Sequence, residues 1–147
     1  MKVSTRVEYG MLALTDIALY AWEGNSVSGP DIAERQGISQ KYLEQILTHL
    51  KQAGLIRAQK GLRGGYTLSR PAEQILLSEV LDALDKDILE DPYHAGDGER
   101  TLRGAVNACL WKKINQELIR FAQGRTLQDF TQECRERMNG EWDMYVI

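Results

Sequence analysis

Between Ser39 and Gly65 the chain gathers side chains suited to reading nucleic acid. The amide of Gln45 can pair with an adenine edge in two bonds, and the carboxylate of Glu44 can accept from cytosine N4. The hydroxyl of Ser39, with the free amides of a helix start behind it, suits a phosphate. Lys60, Leu62 and Arg63 sit among Gly61, Gly64 and Gly65, where a basic finger sized for a minor groove would form. Over 41–65 five basic residues (Lys41, Lys51, Arg57, Lys60, Arg63) face a single acidic one, Glu44. Each feature has a plainer reading: a solvated helix face, a glycine turn, a charged surface. Their order, with a helix pair leading into a basic helix and a basic hairpin, favours DNA.

Those side chains need elements to hold them. Val7, Met11, Leu12, Leu14, Ile17, Ala18 and Ala21 recur at helical spacing and predict a helix over 5–22, ended by Gly24 and Asn25. Ser28 opens a second helix as its cap, with Asp31 positioned to return the bond and Val27 and Ile32 as a staple. Gly37 supplies a left-handed cap that ends it. Ser39 caps the third helix, stapled by Ile38 and Leu43. Ala33, Gly37 and Leu43 stand where a helix-turn-helix needs a small contact, a turn and an apolar anchor. With Leu43, Ile46, Leu47 and Leu50 packed inward, Lys41, Gln45, Thr48 and Gln52 fall on the opposite side. Strands are predicted at Leu55–Ala58 and Tyr66–Leu68, joined by a tip in which Gly61, Gly64 and Gly65 allow positive φ. The fold class is mainly α: a winged helix-turn-helix with a small β-hairpin wing and a long C-terminal helix.

Pro71 breaks the chain, and Ser78 is placed to cap a short helix ending near Leu84. Residues 85–101 are acidic and without periodicity, which predicts a loop. Leu110, Ile114, Leu118 and Phe121 then form a narrow apolar seam on a helix of roughly 100–122. Thr126 and Asp129 form a capping box that starts a short terminal helix, followed by an extended, apolar tail over 141–147. The expected division is a DNA-binding domain over 1–84, a sensor loop over 85–101, and a dimerisation helix with terminal helix and tail over 102–147.

Composition narrows the classes. With 43% hydrophobic and 27% charged residues the chain has the stock of an ordinary globular domain. It has no apolar run long enough for a membrane span and no secretory signal pattern at its start. Two cysteines, Cys109 and Cys134, follow no disulfide framework and fit the cytoplasm. The net charge of −3 hides an asymmetry, since 1–70 hold nine basic and six acidic residues and 71–147 nine and fifteen. Neither His49 nor His94 belongs to a nucleophile motif, so no enzyme is expected.

The strings IAERQGIS-QKYLEQIL, LKQAGLI and KG-LR-GGYTLSRP, with the opening MKVSTRVEYG, resemble the Rrf family of winged-helix regulators, the group of IscR, NsrR, RirA and CymR. The resemblance spans nearly the whole chain. It implies a homodimeric transcription factor that binds an inverted repeat in double-stranded DNA through a recognition helix over 39–53 and a wing over 59–66. The candidate DNA-binding residues are Ser39, Gln40, Lys41, Tyr42, Glu44, Gln45, His49, Lys60 and Arg63. Lys60 stands where the family usually has an arginine, and Arg63 at a position often glycine.

Cluster-sensing members of such a family carry three cysteines in the loop and at the start of the long helix. Here Ala105 and Ala95 occupy what look like ligand positions, so no cofactor is expected, and a [2Fe-2S] cluster would require a cysteine-bearing form. His94, Asp97 and Glu99 offer at most a weak metal site in a solvated loop. Two readings remain: a cluster-free, CymR-like repressor or an alanine-substituted, IscR-type sensor. The ending Met144-Tyr145-Val146-Ile147 resembles the first, and implies a partner enzyme, cysteine synthase, that captures the Ile147 carboxylate. A different class, a winged-helix protein-interaction module working through the loop and tail, would bind a partner without binding DNA.

Overall fold

The computed structural model describes all residues but 1–2, 22–23, 63, 91–97, 99 and 147, and describes 141–146 by backbone alone. Serine hydroxyls open its first three helices by accepting from the amide three residues on. Ser4 Oγ accepts from Val7 N at 3.3 Å and starts α1 (Thr5–Tyr20). Ser28 Oγ accepts from Asp31 N at 3.2 Å for α2 (Gly29–Gln36), and Ser39 Oγ from Tyr42 N at 3.3 Å for α3 (Gln40–Gln52). Gly37, at φ 65°, turns the chain between α2 and α3. Leu14 and Ile17 of α1, Ile32 of α2 and the Leu43, Ile46, Leu47, Leu50 stripe of α3 close over one core. The helix-turn-helix therefore stands as its spacing predicts.

The wing follows as β1 (Ile56–Gln59) and β2 (Gly65–Leu68), antiparallel with Ile56 opposite Leu68 and Gln59 opposite Gly65. Each strand sits one residue from its expected bounds. Val27 adds a rung, accepting from Tyr66 N at 2.7 Å and donating to Tyr66 O at 3.0 Å. The three tip glycines do not all serve for positive φ. Among the tip glycines only Gly61 has positive φ, at 124°. A Cβ at Gly64 would lie 2.8 Å from Gln59 O, and one at Gly65 2.5 Å from Val27 O, so these two are needed for close backbone approach.

A 3₁₀ turn (Ala72–Gln74) leads to α4 (Leu77–Leu84). Ser78 is not its cap. Leu76 holds that position, its amide donating to Glu79 Oε1 at 3.3 Å. The start is set from a distance: Leu127 N donates to Ile75 O at 2.7 Å and Leu77 N to Arg125 O at 3.0 Å, which pins the backbone one residue before the serine could act.

The expected long helix is present but interrupted. It runs as α5 (Leu102–Val106), a π turn (Asn107–Trp111) and α6 (Lys112–Gln123). Thr126 and Asp129 form the expected reciprocal cap, each bond 3.0 Å, and start α7. The short helix and extended tail are corrected here: α7 is a single element of 20 residues, Leu127–Val146. Ile147 lies outside the described residues.

Candidate nucleic-acid interface

Because α3 buries Leu43, Ile46, Leu47 and Leu50, the remaining positions must point away from the core. Ser39, Gln40, Lys41, Glu44, Gln45, Thr48 and His49 are all exposed. Glu44 is the only acid on that face. Thr48 Oγ1 donates back to Glu44 O at 2.8 Å, which leaves its oxygen lone pairs but no proton for a base. Tyr42 differs from the rest. It is half-buried and stands edge-on to Tyr9, with centroids 5.9 Å apart and planes at 77°, so its ring braces α1 against α3.

The start of α1 meets α3 in a polar cleft of about 410 Å³. Ser4, Thr5 and Arg6 form one wall, and Tyr42, Gln45 and His49 the other. Arg6 is exposed and in no salt bridge among the described residues. The chain's motifs do not single it out, yet a signal was available. A cation in the first turn of a helix opposes the helix dipole, so its presence asks for another purpose. Lys60, at the start of the wing tip, and Leu62 beyond it are exposed, while Arg63 lies outside the described residues.

The site depends on a polar lock that holds α2 on α1. The Asp16 side chain is wholly buried and accepts from Arg35 Nε at 2.9 Å, Arg35 Nη2 at 2.8 Å and Gln36 Nε2 at 2.8 Å. Arg35 also lies 4.7 Å over the Tyr20 ring. The hydrogen bonds to Asp16 hold the Arg35 guanidinium above its ordinary pKa.

On another part of the surface, α5, the π turn and α6 leave an apolar stripe uncovered. Leu110, Ile114 and Phe121 are 46%, 53% and 56% exposed, with Val106 and Trp111 beside them. Leu118 is half-buried, turned partly toward the chain's own domain, which Asn115 and Ala122 contact.

The cluster that the resemblance implies can be tested against these donors. Ala105 offers no ligand, and Ala95, His94, Asp97 and Glu99 lie outside the described residues. Cys109 is exposed in the π turn, whereas Cys134 of α7 shares a cleft with Phe121. Twelve residues of helix separate Cys109 from Phe121, roughly 18 Å at the helical rise. The two thiols of the chain therefore cannot grip one cluster, and among the described residues no three His, Cys, Asp or Glu side chains converge on a metal position. The residues present do not fit a [2Fe-2S] group.

A helix-turn-helix whose outward helix is polar and acid-poor, followed by a basic-tipped wing, defines a winged-helix DNA-binding domain. The family model described as "Rrf2: Iron-dependent Transcriptional regulator" matches residues 3–133. The HTH-type transcriptional regulator IscR of Cereibacter sphaeroides is 44% identical over 138 residues, covering 88% of this chain and 86% of its own. The structure of IscR from T. potens superposes with a TM-score of 0.74 at 31% identity over 93% of this chain and 90% of that one. That of CymR, the global cysteine regulator of B. subtilis, does so at 0.78 and 24% over 90% and 98%, a likeness of fold. The chain belongs to the Rrf2 family. It is a DNA-binding transcriptional regulator and not an enzyme.

Proposed function

We propose that the protein is a homodimeric, cluster-free regulator that binds an inverted-repeat operator at genes of iron–sulfur or cysteine metabolism. The observation that carries the reading is the outward face of α3: Lys41, Gln45 and His49 flank Glu44, and Arg6 stands across the cleft. Gln45 and Glu44 read base edges, Ser39, Gln40, Arg6 and His49 hold phosphates, and Lys60 with Arg63 enters the minor groove beside. The iron dependence in the family's description and the cysteine regulation in the name of CymR support the choice of target genes, and its place of work is the cytoplasm. The uncovered stripe of Leu110, Ile114 and Phe121 supports pairing about a two-fold axis. Pairing sets the two recognition helices about 34 Å apart, one turn of DNA.

The separation of Cys109 and Cys134, with alanine at 95 and 105, supports control by something other than a cluster. Capture of Ile147 by cysteine synthase would need the last turn of α7 to unwind first, since the helix continues to Val146. Operator selection from a random duplex pool, followed by anisotropy titration of the winner, tests the core of the proposal. A palindrome bound two chains to one duplex is expected. If Gln45→Ala and Lys60→Ala both bind that duplex like the parent, the reading is wrong.

A further inference from the structure

Leu62 is the most exposed large apolar side chain among the described residues, fully open to water at the tip of the wing. Leu102 follows at 81%, and the stripe on α6 lies near one half. A single exposed leucine is common on protein surfaces. This one stands where local chemistry asks for something else. Gly64 N donates to Gly61 O at 2.9 Å and closes a turn in which Leu62 holds the second place. Proline and small or polar residues dominate such turns, because they fit the backbone or bond to it. Gly61, Gly64 and Gly65 add no side chains around the leucine, so it projects from a finger of backbone thickness. Exposed cations, Arg57 of β1 and Lys60, precede it, and neither is in a salt bridge among the described residues. The root of the wing is braced by the β1–β2 pairing and by the two bonds between Val27 and Tyr66. Val27 leads directly into α2, so the body that carries α3 also holds the tip. Minor-groove binders use this combination: cations for the phosphate walls, and an apolar wedge that unstacks a base step and kinks the duplex.

We propose that Leu62 is such a wedge, entering one base step of each half-site from the minor groove and bending the operator toward the major groove. The step it opens becomes part of what the protein recognises. Pyrimidine–purine steps unstack most easily, so operators that carry one under each wing are preferred without any hydrogen bond reading them. The inference rests on the reading of α3 and the wing as the DNA face.

The selected operator, with 2-aminopurine replacing adenine at successive positions, tests it in titrations with the full chain. A rise in fluorescence at one step of each half-site is expected with the parent, is retained by Leu62→Met, and is lost in Leu62→Ala. Energy transfer between labelled duplex ends should report a bend of at least about 20° per wing with the parent and a straighter duplex with Leu62→Ala. Replacing the opened step by a stiff AA step should cost the parent about tenfold in affinity and Leu62→Ala less than about twofold. Leu62→Ala should melt like the parent, because the side chain is wholly exposed. Fluorescence, bend and step preference unchanged in Leu62→Ala overturn the proposal and leave the DNA reading standing. Equal weakening of Leu62→Ala on every duplex, with the fluorescence rise intact, places the leucine against the groove wall and overturns it too. If the parent binds no duplex, the DNA reading falls and the wedge with it.

Discussion

Arg35 Nη2 of α2 donates to Asp16 Oδ1 of α1 at 2.8 Å, across nineteen positions of sequence, and the two partners differ in what surrounds them. The Asp16 side chain is 0% exposed and that of Arg35 35%. Breaking the pair from either side should therefore cost different amounts. Arg35→Leu strands a buried carboxylate with only the Gln36 amide to hold it, in the range of about 3–5 kcal/mol. Asp16→Leu strands a guanidinium that water still reaches, and should cost about 1–3 kcal/mol. Urea unfolding of both variants measures the asymmetry. Equal losses, or a larger one for Asp16→Leu, would count against it.

Gly10 puts α1 against α4 at a separation no side chain allows. A Cβ there would lie 2.4 Å from Leu84 Cδ2 and 2.8 Å from Leu84 Cδ1, and Leu84 is itself buried. Overpacking of this kind costs about 1–3 kcal/mol. Alanine recovers about 1 kcal/mol through helix propensity. Gly10→Ala should thus lower the melting temperature, and adding Leu84→Ala should make the substitution at Gly10 nearly neutral or favourable. A double-mutant cycle without coupling would refute the contact.

Acid should weaken the join between α4 and the rest. The hydrogen bond from Arg70, with burial opposing it, holds the Glu79 carboxyl below its ordinary pKa, and the Leu76 amide adds to the effect. Asp129 is likewise depressed, first by the amide of Thr126. A depressed carboxyl contributes stability above its unfolded value and loses it as pH falls through the folded one. The loss at Glu79 should begin below about pH 4.5. Arg70→Met should flatten this acid limb while leaving the slope at neutral pH alone. Unfolding curves at stepped pH read the difference.

Local signals account for what the chain declares of itself. Ser28, Ser39, Gly37 and the leucine stripe of α3 act within a few residues, so the helix-turn-helix is legible from spacing. The Asp16–Arg35 lock is not, because an aspartate in the core of α1 carries no periodic mark and its partner lies on another helix. Ser78 misleads for the same reason: the backbone of Arg125 and Leu127, fifty residues on, decides where α4 begins. The π turn escapes a reading based on apolar steps, since Leu110 and Ile114 keep their spacing through it. Arg6 is marked in the sequence only as a cation in the first turn of α1, and what it faces shows when α1 and α3 come together.

The uncovered stripe on α6 makes the oligomeric prediction sharp. Ile114 is 53% exposed at its centre, so Ile114→Glu should leave the fold intact and disturb only what covers it. Sedimentation should show a monomer, with helical content unchanged by circular dichroism. Operator affinity should fall by well over about tenfold, because one recognition helix then binds without its partner. A half-site duplex should bind parent and variant alike. If the variant stays dimeric, pairing runs through another surface, and the 34 Å spacing between recognition helices loses its basis.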